Sequence, residues 1–137
     1  MGLILDSTVV IAAERRGDTV VQLLQQIAAT AGDQQIAISS VGLTELVHAI
    51  YRAPAAQLRL RREDFIRDLL ADVEVIPYTQ STAMLAGKID GEQRALGVTI
   101  PSMDLLIGVT ALEIGYSVVT SNLRHFQLIP GLTVIQI

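Results

Sequence analysis

Three carboxylates are the side chains of this chain whose settings most strongly suggest chemistry. Asp6, Glu45 and Asp104 each lie in an apolar stretch, at or near a predicted junction between a strand and a helix. Burying a carboxylate costs free energy unless the charge is paired, hydrogen-bonded or bound to a cation. Carboxylate oxygens are also the ligands that Mg2+ prefers in proteins. Their shared setting therefore predicts a metal pocket.

The segment around Asp104 gives the strongest single indication. Asp104 follows Pro101 by three residues, and almost nothing after it is charged until Glu113. A helix that is apolar on all sides is a buried helix. At about 100° per residue, Asp104 shares a helix face with Gly108 and Ala111, two small residues. We expect them to leave open space beside the carboxylate.

The elements that must position these carboxylates alternate along the chain. Short apolar runs predict strands, and amphipathic or apolar periodic segments predict helices. The predicted strands cover 3–6, 35–39, 73–77, 116–120 and 132–136, and the predicted helices cover 8–15, 18–31, 42–52, 56–71, 79–96 and 102–114. Strands separated by helices favour an α/β fold, a three-layer α/β/α sandwich around a mostly parallel sheet. We expect one domain covering 1–137.

In such a sheet the functional crevice lies outside the carboxyl ends of the strands. Asp6 ends the first predicted strand, Glu45 follows the second, and Asn122 follows the fourth by two residues. Three strand ends therefore bring oxygen-bearing side chains toward one edge. Asp104 joins them only if its helix points its N-terminus to that edge.

Composition limits the class of protein. Half of the 137 residues are hydrophobic, and the mean hydropathy is +0.46. No run approaches the roughly 18 apolar residues of a membrane span, so we expect the surplus apolar surface to meet a protein partner. The N-terminus lacks the pattern of a secretory signal, and the absence of cysteine excludes disulfides, Cys-zinc sites and thiol nucleophiles. A cytoplasmic location is the simplest interpretation.

The formal charge of -4 argues at first against a nucleic-acid partner. Two bound divalent cations would add +4 and bring the sum to zero, so net charge does not decide the question. Nine of the ten cationic residues are arginines, and Lys88 is the only lysine. Four arginines fall on one predicted amphipathic helix and the segment before it, at positions 52, 59, 61 and 62. These arginines suit contact with solvent or a protein partner at least as well as contact with RNA.

Each candidate also has a purely structural interpretation. Asp6 has the position of a helix N-cap, and Asp104 has the position of a charge that complements a helix dipole. A helical wheel points Glu45 away from the apolar face of its helix, which favours a solvated charge. His48 and His125 lack a metal-ligand partner at helical spacing, which indicates structural or surface roles.

Four segments in this order resemble a PIN-domain ribonuclease. They read Leu-Ile-Leu-Asp-Ser-Thr-Val-Val-Ile, Ile-Ser-Ser-Val-Gly-Leu-Thr-Glu-Leu, Asp-Leu-Leu-Ile-Gly-Val-Thr-Ala-Leu and Val-Val-Thr-Ser-Asn-Leu-Arg-His-Phe. The length of the chain and its close, from His125-Phe126 through Ile129-Pro130-Gly131-Leu132, resemble a VapC-type toxin of a toxin-antitoxin pair. The resemblance covers nearly the whole chain.

The resemblance implies a Mg2+- or Mn2+-dependent endoribonuclease whose acidic residues match Asp6, Glu45 and Asp104. It places Glu45 in the crevice rather than in bulk water. Asn122 occupies a position where the family often carries a fourth acid, so a second metal site there would be weaker. Ser7 matches a family hydroxyl and is expected to hold Asp6 or a phosphate. Because clustered carboxylates repel one another, we expect raised pKa values among them.

The implied partners are an RNA such as tRNA, a cognate VapB-like antitoxin that covers the acidic site by inserting an arginine, and a second copy of the chain. Two other functions compete with this one. A PIN-like binding module without activity is kept open by Asn122. A phospho-accepting receiver module is disfavoured, because Asp6 stands alone after the first strand and Lys88 is far from the last strands.

Overall fold

Five parallel strands and seven helices make up the chain, and the computed structural model describes all of residues 1–137. In chain order the elements are β1 Gly2–Leu5, α1 Ser7–Arg16, α2 Val20–Ala31, β2 Gln35–Ser39, α3 Ser40–Tyr51, α4 Ala56–Asp72, β3 Glu74–Ile76, α5 Gln80–Ala95, α6 Ser102–Ile114, β4 Ser117–Thr120, α7 Leu123–Phe126 and β5 Val134–Gln136. Every predicted element is present with bounds within two residues of the prediction. The short helix α7 was not predicted.

The sheet runs in the order β3-β2-β1-β4-β5, so β1 lies at its centre. All four strand pairings are parallel, and β1 pairs with β2 on one side and with β4 on the other. The crossovers that leave β1 and β4 therefore go in opposite directions. Ligands of open α/β sheets bind at such a switch point, outside the carboxyl ends of the strands. Here that position is the end of β1 beside the end of β4.

Helices cover both faces of the sheet, which confirms the predicted three-layer α/β/α fold. Alternate residues of β1 point to opposite faces, because side chains alternate along a strand. Leu3 and Leu5 belong to an apolar cluster with α1, α2, α3 and α4, whereas Ile4 belongs to a second cluster with α5, α6 and α7. None of the helices has both the length and the apolar composition that a membrane-spanning helix needs.

Local capping sets the start of α3 and the end of α1. The Ser39 hydroxyl accepts a hydrogen bond from the Gly42 N–H at 2.9 Å, which satisfies one of the free donors of the first turn. The helix α3 therefore begins at Ser40, two residues before its predicted start. Gly17 ends α1 with φ of 82°, a left-handed conformation that favours glycine.

The helix α6 is buried as predicted, but the space beside Gly108 is not open. Ile107, Val109 and Ala111 are fully buried. A Cβ on Gly108 would overlap the Cδ1 atom of Ile129, in the segment that follows α7. Gly108 therefore does not supply the open space that we expected it to leave beside the Asp104 carboxylate. Glycine serves here to let the segment after α7 approach α6 closely.

Two of the four clustered arginines, Arg61 and Arg62, form hydrogen bonds or ion pairs within the chain. Glu14 of α1 is 6% exposed. The Arg61 Nε donates to its Oε1 at 3.1 Å, and the Arg62 Nε lies 3.8 Å from its Oε2. Arg62 also donates from Nη1 to the Ala49 carbonyl at 2.7 Å. These contacts hold α4 against α1 and α3.

We expect Arg62→Ala to destabilise the fold by about 2 kcal/mol, because it removes a charge-assisted hydrogen bond and leaves the buried Glu14 less well paired. Arg67→Ala is the matched control on the same helix, since Arg67 pairs with Asp64 only at the surface. Exposed pairs of this kind often contribute nothing measurable. Chemical denaturation of both variants checks this, and equal losses of stability would contradict it.

Candidate active site

Asp6 lies at the end of β1, at the switch point of the sheet. Its backbone N–H continues the ladder to the Val119 carbonyl at 2.9 Å. Although Asp6 has the N-cap position of α1, its side chain makes no capping hydrogen bond. Its Oδ2 atom instead accepts from the Thr8 hydroxyl at 2.7 Å and from the Thr120 hydroxyl at 2.8 Å. The interpretation of Asp6 as a helix N-cap therefore does not account for the position of its carboxylate.

The other Asp6 oxygen, Oδ1, has no protein hydrogen-bond partner. The residue as a whole is 1% exposed, yet no buried side-chain oxygen of the chain lacks a hydrogen-bond partner. Since Oδ1 accepts no hydrogen bond, it is not fully enclosed and accounts for the small exposed fraction of the residue. A carboxylate with one oxygen fixed and one oxygen free is well placed to bind a cation.

Glu45 faces the crevice from α3. The Ser7 hydroxyl donates to its Oε1 atom at 2.9 Å, and Oε2 has no protein partner. The side chain is therefore turned toward the start of α1, and the interpretation as a solvated charge is wrong. Ser7, which is 6% exposed, was predicted to hold Asp6 or a phosphate, but the residue that it holds is Glu45.

Asp104 lies in the first turn of α6, and its helix does point its N-terminus to this edge. The Asp104 Oδ2 atom lies 2.7 Å from Nδ1 of His125. The same Nδ1 lies 2.7 Å from the Asn122 side-chain amide. Asn122 does not contact the other carboxylates directly; its backbone N–H donates to Thr120 at 2.8 Å. Asn122 therefore reaches the site through His125.

Sequence reasoning missed Thr8 and Thr120, which hold Asp6, and also His125, for which a structural or surface role was predicted. A single histidine with no second metal-ligating residue at helical spacing forms no sequence motif that would indicate a role in a site. Its contact with Asp104 depends on α7, which was not predicted either. His48, the other histidine, is exposed, and its effect on the site is a small lowering of the Glu45 pKa.

The electrostatics of the site reflect first the burial of the carboxylates and then the crowding of their negative charges. Burial is the largest cause that raises the pKa of Glu45, and the charges of Asp6 and Asp104 raise it further, while the Ser7 hydrogen bond opposes them. Burial also raises the pKa of Asp104, the His125 hydrogen bond opposes this, and the Asp6 charge adds to it. The raised pKa values predicted for the clustered carboxylates are confirmed at these two residues.

The donor set fits a hard divalent cation in an open, hydrated site. All three carboxylates offer one oxygen that has no protein partner. However, no three acidic or histidine side chains lie close enough together to enclose one ion. Mg2+ retains several waters and needs only one or two direct carboxylates, so this spacing suits it. Closed structural zinc sites require four protein ligands, which are not assembled here.

An apolar cleft lies apart from the carboxylates, between α1, α3 and α4. Val10, Leu46 and Phe65 line it together with the Glu14 and Arg62 side chains. None of the three candidate carboxylates contributes to its lining. The cleft is therefore a feature of the helical face, separate from the crevice at the sheet edge.

The model of the PIN domain family matches residues 3–132. The chain belongs to the PIN domain family. The resemblance to PIN-domain ribonucleases that the four sequence segments indicated is thereby confirmed, and the crevice at the end of β1 is the crevice of a PIN domain. Nearly all of the chain takes part in the match.

The sequence relatives include VapC ribonucleases. Ribonuclease VapC of Rickettsia bellii is 30% identical over 137 residues, covering 100% of this chain and 97% of the relative. Ribonuclease VapC1 of Rickettsia felis is 29% identical with the same coverage. The tRNA(fMet)-specific endonuclease VapC of Salmonella typhimurium is 30% identical over 73% of this chain and 74% of its own length.

Solved structures of similar fold include toxin-antitoxin complexes. VapBC2 from Rickettsia felis, bound to a DNA fragment from the promoter, superposes with a TM-score of 0.83 at 23% identity, covering 100% of this chain and 99% of the other. DNA-bound VapBC from Salmonella typhimurium gives 0.82 at 24% identity, with 99% and 98% covered. At these identities the agreement concerns the PIN fold.

Proposed function

We propose that this protein is a metal-dependent endoribonuclease of the VapC type and the toxin of a toxin-antitoxin pair. The observation that carries the proposal is the placement of Asp6, Glu45 and Asp104 at one switch point, each with one oxygen fixed and one free. Full-length similarity to VapC ribonucleases supports the same activity. An inactive PIN-like binding module would have no need of three restrained carboxylates.

The residues of the site would divide the work of phosphodiester hydrolysis. A bound divalent ion would supply positive charge against the charge that builds on the phosphoryl oxygens, and would make a bound water more acidic. Asp6, held by Thr8 and Thr120, and Asp104, held by His125, would bind that ion through their free oxygens. These hydrogen bonds would keep both carboxylates in place before the substrate arrives.

Glu45 would position the attacking water. Its Oε1 atom is fixed by Ser7, so the free Oε2 atom can accept a hydrogen bond from a water in line with the scissile bond. The raised pKa of Glu45 brings this carboxylate nearer to the working range of a general base. Ser7 therefore acts by orienting Glu45.

We propose a structured RNA such as tRNA as the substrate. Relatives with 30% and 32% identity are named as endonucleases specific for tRNA(fMet). The chain has only five aromatic residues, so few stacking partners are available for splayed bases. Recognition would then depend on RNA shape and backbone contacts, and the reaction would take place in the cytoplasm.

We propose a VapB-like antitoxin and a second copy of the chain as protein partners. The antitoxin would cover the carboxylate site, where an inserted arginine would meet unpaired negative charge. The apolar cleft beside Glu14 and the exposed side chains of Met84 and Leu96 offer the surplus apolar surface that the composition indicated. Such surfaces are typical of protein interfaces.

The test of the activity is cleavage of a labelled total-RNA pool by the purified protein with Mg2+, Mn2+ or EDTA. We expect discrete cuts with either metal and none with EDTA, because chelation removes the cation that would offset the phosphoryl charge and make a bound water more acidic. Asp6→Ala, run beside the wild type, should give no cuts. The proposal would be overturned by cuts that persist in EDTA, by cuts that persist in Asp6→Ala, or by an inert protein under every metal condition.

A further inference from the structure

His125 is the only side chain with a polar atom within hydrogen-bond distance of the Asp104 carboxylate, at 2.7 Å from its Oδ2 atom. An ionised carboxylate can only accept hydrogen bonds, so the proton between the two groups must belong to Nδ1 of His125. The Asn122 amide lies 2.7 Å from the same nitrogen. Since that nitrogen carries a hydrogen, Asn122 would present its oxygen rather than its NH2 group to the ring. The three side chains thus form one chain of polar contacts.

The fold places His125 here through tight packing next to it. Phe126, the following residue, is fully buried and belongs to the same apolar cluster as Ile107 of α6. The missing side chain of Gly108 lets Ile129 press against α6. With the segment anchored on both sides, the His125 ring has little freedom to leave Asp104.

We propose that His125, oriented by Asn122, is a positioning residue that fixes Asp104 with its Oδ1 atom free for the cation. The proposal rests on the proposed metal-dependent function. Asp104 has two rotatable side-chain bonds and no other protein donor, so without His125 its carboxylate would sample several orientations. A ligand held in one orientation loses less entropy when it binds a metal ion.

Three substitutions of His125 separate the role of Nδ1 from that of the rest of the ring. The amide nitrogen of asparagine occupies nearly the position of Nδ1 in histidine, whereas that of glutamine reaches the position of Nε2. His125→Asn therefore keeps a donor next to Asp104, and His125→Gln moves it away. His125→Phe keeps the ring volume and removes every donor.

The test compares these three variants, with Gln127→Ala as a control because Gln127 is an exposed residue next to α7. We expect kcat for RNA cleavage to fall about 10- to 100-fold in the Phe and Gln variants, with KM for RNA little changed. His125→Asn should restore most of the lost kcat, and Gln127→Ala should match the wild type. If the Phe variant fails to fold, the Gln and Asn pair makes the same comparison.

Two readouts do not depend on cleavage. Calorimetric titration of the metal-free protein with Mn2+ should show weaker binding in the Gln and Phe variants and near-normal binding in the Asn variant. Nitrogen NMR of the His125 ring should show the proton on Nδ1, and the carboxyl carbon of Asp104 should shift in the Gln variant. A proton on Nε2 alone, or unchanged Mn2+ affinity in the Gln and Phe variants, would overturn the proposal. A wild type that binds Mn2+ in this way but cleaves no RNA would instead count against the nuclease function.

Discussion

Asp104→Asn is expected to reduce RNA cleavage by about 10²- to 10³-fold or more while the protein stays folded. The amide oxygen of asparagine can still accept the hydrogen bond from His125, so the local structure is preserved. The NH2 group would then face the crevice in place of the free carboxylate oxygen. A hydrogen-bond donor at that point repels a cation instead of binding it.

The fold of this variant should be at least as stable as that of the wild type. Burial and the Asp6 charge raise the pKa of Asp104, which means that its negative charge is unfavourable in the native protein. Removing the charge removes that cost. Gel assays of RNA cleavage and thermal melts of the same preparation measure both effects.

Asp33→Asn is the matched control, because it makes the same chemical change on an exposed residue. Asp33 precedes β2 and so lies at the amino end of the strands, at the opposite edge of the sheet from the crevice. We expect it to cleave RNA like the wild type. Undiminished cleavage by Asp104→Asn would contradict the assignment of Asp104, and equal losses in both variants would indicate a general effect of charge.

The convergence of the carboxylates was predictable from the sequence because it depends on strand order along the chain. Apolar runs that alternate with helical segments dictate a parallel sheet, and parallel strands bring their carboxyl ends to one edge. Asp6 follows β1 directly, and Glu45 lies in α3, a few residues after β2. For Asp104 the sequence specified a buried helix, but the direction of that helix depended on how the chain crossed the sheet.

What the sequence did not reveal depends on contacts between distant segments. A helical wheel describes α3 alone and cannot show that Ser7 of α1 binds Glu45. The same limit applies to Gly108, whose neighbour Ile129 comes from the segment after α7. The role of His125 follows from that packing, so no local pattern around it indicates its partner.

The stability of the fold and its activity should change in opposite directions with pH. The pKa values of Glu45 and Asp104 are raised in the native protein above the ordinary values of 4.5 and 3.8. Between those ordinary values and the raised ones, the native state therefore binds more protons than the unfolded state. The contribution of these groups to stability is fully present below the ordinary values and is lost as pH rises through the raised ones. Cation binding needs the ionised form, so cleavage should rise over the same interval.

A difference between variants isolates this effect from other titrating groups. Glu113 has a pKa lowered by hydrogen bonds from Ser81 and Thr82, so its contribution has the opposite sign and is lost as pH falls. We therefore compare the melting temperatures of Glu45→Gln and the wild type at each pH. The variant should be the more stable protein, by a margin that grows with pH and then levels off. Added Mg2+ should reduce that advantage, because the ion stabilises only the protein that retains the full set of carboxylates.

A difference that shrinks as pH rises would mean that Glu45 is stabilised as a carboxylate in the fold. The site would then have been built to keep its charge satisfied by the protein itself, without a cation.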